Sequence, residues 1–327
     1  MPTVTAARLV AHGRPLSIEA IDLGEPAEGE VVIDMAFAGV NPVDGYQADG
    51  KVNPNGPLPR TLGTEGAGLV DGRPFVVRGH GLGSTRDGLW ASAAVVPEDA
   101  LIPVPVGVPL EQAAAMGIAG VTAWRCATEK AQVTGADRVL VLGASGGVGS
   151  VLVSIARSIG AEVWGQTGRA DKADWIRERG AADVIVGDAG RVSEQAREFR
   201  PTVVFDSLGD GYLGAAIEVL SEKGRLVTFG TSAGTEGVVP LQVLYRKGLT
   251  VYGYGGLIES DEAQAGAIRA ALEALAAGRF EIVVDRKVPL ADVGEAFGLL
   301  RDRSVLGKVV LDLGTTAGAT EAQRHEA

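Results

Sequence analysis

The 327-residue chain has one cysteine, three histidines and few aromatic side chains, which make up 5% of its residues. The single cysteine, Cys126, excludes an intramolecular disulfide and any zinc site built from several cysteines. No apolar run has the length of a membrane span, and the first residues, MPTVTAARLVAHGR, lack the apolar core of a signal peptide. We therefore expect a protein of the reducing cytoplasm.

Positive charge is scarce as well. Lysine and arginine together number 30 against 41 aspartates and glutamates, which gives a formal net charge of −11. Such an acidic chain is not expected to bind nucleic acid or an anionic membrane surface. Apolar residues, at 46%, and glycine, at 47 residues, are plentiful. The length predicts roughly two domains.

Residues 138–172 carry a regular pattern of strand, glycine-rich turn, helix and strand. Apolar residues 139–142 predict a buried strand, and apolar residues at helical spacing then predict an amphipathic helix that Gly160 ends. The spacing A-x-G-x-x-G between them matches a dinucleotide fingerprint, which lays a pyrophosphate on a helix N-terminus. A plain glycine-rich loop is the simpler alternative, but the flanking strand and helix favour the nucleotide. The predicted phosphate-binding residues are Ala144, Ser145, Gly146, Gly147, Val148 and Gly149.

The end of the second strand bears on the choice of nucleotide. NAD sites usually place an acidic residue there for the ribose hydroxyls, but this chain has Thr167, Gly168 and Arg169, followed by Lys172. Arg169 offers a planar fork and Lys172 a point charge for a 2′-phosphate. The alternative interpretation is that both side chains are ordinary solvated charges at the start of a helix. The pattern favours NADPH.

Alternating strands and helices continue to about residue 257. Apolar runs at 203–205 and 225–229 predict two more strands of a doubly wound parallel sheet. Ligands of such sheets lie at the carboxyl ends of the strands. We therefore expect four further residues beside the cofactor: Leu208, Gly230, Thr231 and Ser232.

The first part of the chain differs in pattern. Residues 6–10, 17–21 and 30–37 predict short strands of a mainly β region. An Asn-Pro turn then precedes Asp44, which we expect to cap a short helix carrying Tyr46. Glu65 lies among small residues, which suggests an internal carboxylate bonded to the backbone.

Six motifs together resemble one known family. In chain order they are GVNPVDGY, LGTEGAG, GIAGVTAW, VLGASGGVGS, VFDSLG and LGKVVL. They are similar to the medium-chain dehydrogenase/reductase superfamily, closest to its zinc-independent, quinone-oxidoreductase-like branch. The resemblance implies α/β architecture, with a Rossmann NADPH-binding domain at 119–257 and a mainly β, GroES-like catalytic domain at 1–118 and 258–315. We expect the remaining tail, 316–327, to be disordered.

The resemblance also implies how the site works. Zinc-dependent relatives have Cys where this chain has Asn41 and His where it has Thr64, so we expect no metal. Hydride then passes from NADPH to a quinone or to the C=C of an α,β-unsaturated carbonyl. Asn41 and Tyr46 are the expected catalytic residues, with Asn41 also a cofactor ligand. Tyr46 either donates a proton or only positions the substrate, with solvent then supplying the proton. Thr122 and Lys308 are the remaining cofactor contacts.

Other functions stay open. Segment 71–90 departs from the family pattern, which keeps an enoyl-thioester reductase or a natural-product-pathway enoyl reductase as an alternative. His80, Arg86 and Trp90 then line the substrate site; otherwise the segment is a surface loop anchored by Trp90. A non-catalytic NADPH-binding protein is a second alternative. The apolar edge strand predicted at 249–254 indicates a homodimer, as in relatives.

Overall fold

The structure, a computed structural model, describes residues 2–314, and the predicted disordered tail 316–327 lies outside the described residues. The strands of the described part are β1 (Thr3–Leu9), β2 (Ser17–Asp22), β3 (Glu30–Val40), β4 (Arg60–Thr61), β5 (Glu65–Val70), β6 (Arg73–Arg78), β7 (Ala93–Pro97), β8 (Leu101–Pro103), β9 (Arg138–Val141), β10 (Glu162–Thr167), β11 (Asp183–Val186), β12 (Val203–Asp206), β13 (Arg225–Thr228), β14 (Thr250–Gly253), β15 (Val284–Pro289) and β16 (Lys308–Asp312). The α-helices are α1 (Pro42–Ala48), α2 (Leu110–Ala113), α3 (Val121–Arg125), α4 (Gly147–Ile159), α5 (Ala173–Glu178), α6 (Ala189–Phe199), α7 (Gly211–Val219), α8 (Leu241–Lys247), α9 (Asp261–Ala276) and α10 (Val293–Arg301).

The chain divides into two compact units. The first contains the described residues up to Ile118, then Ser260–Ala277 and the described residues from Val284 onward. The second contains Ala119–Glu259 and Gly278–Val283. The domain boundaries given above from the sequence stay predictions.

The second unit is built on a six-stranded parallel sheet. Its strand order is β11-β10-β9-β12-β13-β14, the order of a doubly wound nucleotide-binding fold. The central strands β9 and β12 are buried along nearly their whole length, as their unbroken apolar runs predict. The predicted α/β class is confirmed.

The first unit is mainly β. One sheet has the order β15-β16-β3-β5-β6-β8 with β7 also paired to β3, and a smaller sheet has the order β2-β1-β4. Its buried core includes Ile33, Met35 and Leu62. Helix α1 begins three residues earlier than the sequence indicated: Asn41 is the N-cap, and Asp44 is the third helical residue. The prediction of Asp44 as the cap was therefore wrong, since Pro42 already fits the first helical turn.

The predicted helix at 111–129 is interrupted. Two π-helical turns, Met116–Gly120 and Cys126–Lys130, flank α3. Such turns are rare and often lie at functional sites. Gly117 belongs to the first of them, and a Cβ there would come within 3.0 Å of the Glu65 Cβ. Among the described residues, no helix is both long and apolar enough to cross a membrane.

Candidate functional site

The glycine-rich turn between β9 and α4 has the geometry of a phosphate cradle. Gly143 has φ of 70°, a conformation that favours glycine, and Gly146 is the N-cap of α4. A Cβ on Gly149 would collide with the carbonyl oxygen of Gly143. Because the first N–H groups of an α-helix have no partner within the helix, those of Gly147, Val148 and Gly149 are suited to bind an anion.

Gln166, at the end of β10, holds this turn in shape. Its Oε1 accepts a hydrogen bond from the Gly143 N–H at 3.0 Å, and its Nε2 donates to the Gly187 carbonyl at 2.7 Å. The Gln166 carbonyl also accepts from the Ala144 N–H at 2.9 Å. The sequence showed only that this position is not acidic, and it gave no signal of the support that the side chain provides.

The residues predicted to bind a 2′-phosphate differ in exposure. Arg169 is half-exposed and forms a two-bond ion pair with Asp171, at 3.0 and 2.6 Å. Gly168 has no atom near its Cβ position, and the hydroxyl of Thr167 accepts from the Arg169 N–H at 3.3 Å. Lys172 is buried, with 6% of its surface exposed. Arg169 is thus the accessible cation of the predicted pair.

The loops after β12 and β13 lie next to each other. A Cβ on Gly230 would lie 2.9 Å from the Ser207 carbonyl oxygen, and the Ser232 hydroxyl donates to that oxygen at 2.8 Å. The Asp206 carboxylate accepts from the Leu208 and Gly209 N–H groups, at 2.8 and 3.1 Å. Burial raises the pKa of Asp206. These bonds fix the loop that includes Leu208; Thr231 follows Gly230 at the end of β13.

A buried polar network lies in the first unit around Glu65. Its Oε1 accepts from Asn41 Nδ2 at 2.6 Å and from Lys308 Nζ at 3.1 Å, and its Oε2 accepts from the Ile118 N–H at 2.6 Å. Lys308 Nζ also donates to Asn41 Oδ1 at 2.6 Å and to the Val40 carbonyl at 3.3 Å. Asn41 is 3% exposed and Lys308 is also 3% exposed. Both residues are therefore engaged with each other and with Glu65.

Asp44 and Thr64 extend this network. Asp44 Oδ2 accepts from the Asn41 N–H at 2.9 Å, and Asp44 Oδ1 accepts from the Thr64 hydroxyl at 3.2 Å. Burial raises the pKa of Asp44 to about 7, and the nearby Glu65 carboxylate adds to the rise. Hydrogen bonds from Asn41 and Thr64 and the Lys308 charge act in the opposite direction. The raised pKa of Asp44 could not be predicted from the sequence, because the charged partners Glu65 and Lys308 come from separate strands.

Two further predicted residues are accessible. Tyr46 lies on α1, two residues after Asp44, and is 39% exposed. Thr122 is partly buried on α3. The roles predicted for Tyr46 and Thr122 stay predictions.

Segment 79–90 is tied down at each of its prominent side chains. Trp90 is fully buried, contacts Phe297 with ring centroids 5.5 Å apart, and donates from Nε1 to the Gly39 carbonyl at 3.2 Å. Arg86 pairs with Glu30 at 2.5 Å. His80 lies between the carboxylates of Asp99 and Asp261, at 3.4 and 3.8 Å. Trp90 is the apolar anchor of a loop. Its burial favours the interpretation of this segment as a surface loop over the one in which it lines the substrate site.

The positions that hold zinc in some relatives carry an amide and a hydroxyl here. Within residues 2–314, no group of three or more His, Cys, Asp or Glu side chains could hold a metal ion. Asn41 and Thr64 offer neither thiolate nor imidazole, the ligands that zinc prefers. The Lys308 ammonium already occupies the Asn41 oxygen. These side chains do not fit a zinc ion.

Comparison with known proteins supplies the family. Residues 147–273 match a family described as zinc-binding dehydrogenase. The chain is 30% identical over 273 residues to a zinc-type alcohol dehydrogenase-like protein of Schizosaccharomyces pombe, covering 78% of this chain and 80% of that one. It is 28% identical to quinone oxidoreductase 1 of Escherichia coli, covering 92% and 97%. A quinone oxidoreductase structure from Thermus thermophilus, also solved with NADPH, superposes with a TM-score of 0.82 at 29% identity, covering 94% and 100%.

The chain belongs to the medium-chain dehydrogenase/reductase superfamily. Its fold, its glycine-rich turn and similarity over more than nine-tenths of the chain agree with that membership. Within the superfamily it lies in the quinone-oxidoreductase-like branch. The predicted resemblance is confirmed.

Proposed function

We propose that this protein is a zinc-independent, NADPH-dependent oxidoreductase that transfers a hydride to a quinone or to the C=C of an α,β-unsaturated carbonyl. The main support is the glycine-rich turn at the start of α4, held by Gln166, in a chain similar over 92% of its length to a quinone oxidoreductase. When bound, a reduced nicotinamide supplies the hydride.

The second unit provides the predicted cofactor-binding residues other than Asn41 and Lys308. The N–H groups of Gly147, Val148 and Gly149 receive the pyrophosphate, and close packing at Gly149 keeps helix and strand near it. Small residues at the ends of β12 and β13, such as Gly230, leave room for the nicotinamide ring. The hydrogen bonds of Gln166 support the assignment of the glycine-rich turn to the pyrophosphate, because they hold the turn in shape. The end of β10 has no acidic residue to bind the ribose.

Arg169 sets the preference for NADPH. Its guanidinium is half-exposed and already binds one anionic group, the Asp171 carboxylate, through two parallel hydrogen bonds. A phosphate presents the same oxygen geometry to that fork. The 2′-phosphate therefore replaces Asp171 as the partner of Arg169, and Lys172 is the second cation proposed for it.

The proposed reaction uses no metal, because Asn41 and Thr64 offer none of the ligands that zinc prefers. Lys308 holds the Asn41 side-chain oxygen, and Glu65 holds the Asn41 amide nitrogen, so the amide has a single orientation. Asn41 and Lys308 thus act as positioning residues around Glu65. Tyr46, whose side chain is exposed, contacts the oxygen of the acceptor.

Turnover tests the proposal. NADPH oxidation is measured with a panel of quinones, α,β-unsaturated ketones and enoyl thioesters. We expect oxidation with at least one acceptor class, and an enoyl thioester preferred over quinones would favour the pathway-reductase alternative. NADPH binding without oxidation by any acceptor would support the non-catalytic alternative.

We also propose a homodimer formed by the second unit. Strand β14 is the last strand of its sheet, and an edge strand with apolar side chains needs cover. Large apolar side chains near it are exposed: Leu241, Tyr245, Val251, Leu257 and Ile258. Sedimentation should give a dimer in the parent and a monomer in Val251→Lys.

A cytoplasmic location belongs to the same proposal, since a reducing compartment keeps a lone thiol unpaired.

A further inference from the structure

We propose that the Asp44 carboxyl and the Thr64 hydroxyl form a two-residue proton relay that protonates the acceptor after hydride transfer. The inference rests on the proposed reductase function and names the proton source for it. It assigns a chemical role to Asp44 and Thr64, neither of which is among the predicted cofactor-binding residues.

The two carboxyl oxygens of Asp44 have different hydrogen-bond partners. Oδ2 accepts from the Asn41 N–H at 2.9 Å, which fixes the carboxyl at the start of α1. Oδ1 then lies 3.2 Å from the Thr64 Oγ1. A carboxyl and a hydroxyl at this separation can pass a proton between them.

Both members of the relay are buried. Asp44 is 1% exposed, and Thr64, directly before β5, is 6% exposed. In the proposed relay the Thr64 hydroxyl faces the acceptor oxygen, and the Asp44 carboxyl behind it stores the proton. Zinc-dependent relatives have a histidine ligand at the Thr64 position. A hydroxyl there gives the neighbouring carboxyl a partner that can both accept and donate.

The charges facing Asp44 allow it to hold a proton near neutrality. Glu65 from β5 presents a like charge, and Lys308 from β16 presents an opposite one. Thr64 and the Asn41 N–H are the polar groups in direct contact. Burial outweighs the stabilising contacts and raises the pKa of Asp44 to about 7. A general acid works best with a pKa close to the operating pH.

The proton movements balance. After the hydride from the reduced nicotinamide has reached the acceptor, the acceptor oxygen carries a negative charge. The Thr64 O–H bond breaks as a new O–H bond forms on that oxygen. The Asp44 O–H bond breaks as its proton moves to the Thr64 oxygen, which leaves Thr64 neutral and Asp44 ionised. Solvent returns a proton to Asp44 before the next turnover.

The test compares variants that keep the hydrogen bonds with variants that break the relay. Asp44→Asn can still accept from the Asn41 N–H and donate to Thr64, but it has no proton to give. Thr64→Val removes the hydroxyl at similar volume, and Thr64→Ser retains it. We expect kcat at pH 6 to fall about 100-fold in Asp44→Asn and Thr64→Val, the lower range for lost general acid catalysis, and to stay within about threefold in Thr64→Ser.

The pH profile separates a relay from a structural role. In the parent and in Thr64→Ser, kcat should decline as the pH rises through about 7, the value set by Asp44, because the acid form is required. The decline should vanish in Asp44→Asn and Thr64→Val and persist in Tyr46→Phe. If Asp44→Asn fails to fold, the matched Thr64→Val and Thr64→Ser pair decides. A parent decline that survives in Thr64→Val would overturn the relay.

A second readout needs neither cofactor nor turnover. Infrared difference spectra of the cofactor-free protein, recorded across neutral pH, should show the carbonyl band of a buried carboxylic acid. Asp44→Asn should remove this band, and Thr64→Val should shift it. Absence of the band in the parent would overturn the relay. If the band is present but no acceptor is reduced, the proposed function fails, and the relay fails with it as a catalytic device.

Discussion

The Lys308→Met substitution tests whether the buried network supports the first unit. The side chain of Lys308 is 4% exposed and that of Glu65 is fully buried, with 3.1 Å between Nζ and Oε1. Methionine removes three hydrogen bonds of the ammonium, to Glu65, Asn41 and Val40. It also leaves the Glu65 charge without its counter-ion. Breaking one partner of a buried ion pair typically costs about 3–5 kcal/mol, and we expect a loss of stability in that range.

The assay is urea unfolding combined with amide hydrogen exchange in β3, β5 and β16, which carry the network. A Lys308→Met/Glu65→Gln double variant should cost at least ~1 kcal/mol less than the sum of the single variants, because the two side chains interact directly. Lys51→Met serves as the control, since its ion pair with Asp49 is solvent-exposed, and should change nothing measurable. A Lys308→Met loss below ~1 kcal/mol with additive costs would refute the reasoning.

Three further predictions concern binding and pH. Gly149→Ala should weaken NADPH binding, measured by fluorescence titration, because its Cβ collides with the Gly143 carbonyl; Gly266→Ala, on α9 with open space around the position, should not. Arg169→Ala should weaken NADPH far more than NADH, and Asp171→Asn should strengthen NADPH by freeing the guanidinium; equal losses for both cofactors would remove Arg169 from this role. Since the folded-state pKa of Asp44 is raised from 3.8 to about 7, the folded chain binds more protons than the unfolded chain between these values, so stability should fall as pH rises through that window. Asp44→Asn should lack this fall in urea titrations.

Features encoded by neighbouring residues were predictable from the sequence. The apolar run of β9, the glycine spacing and the periodicity of α4 lie within about one βαβ unit, and local propensity and pattern suffice for them. The parallel sheet of the second unit follows from the same pattern, because alternating strands and helices form a parallel sheet.

The polar network was not predictable in this way. Lys308 and Asn41 are 267 positions apart, so no local pattern joins them, and the contact of Lys308 with the cofactor stays a prediction. The Asp44 contact with Thr64 likewise depends on the packing of α1 beside the start of β5. The burial of Lys172 and the full burial of Trp90 are also set by tertiary packing.

Turnover of NADPH with a quinone panel remains the most direct measurement of the central claim. The account predicts NADPH oxidation that requires the acceptor, proceeds after removal of metal ions by a chelator, and is lost in Gly149→Val. Tight NADPH binding with no oxidation by any quinone, α,β-unsaturated carbonyl or enoyl thioester would contradict the claim, as would activity that a chelator abolishes and zinc restores.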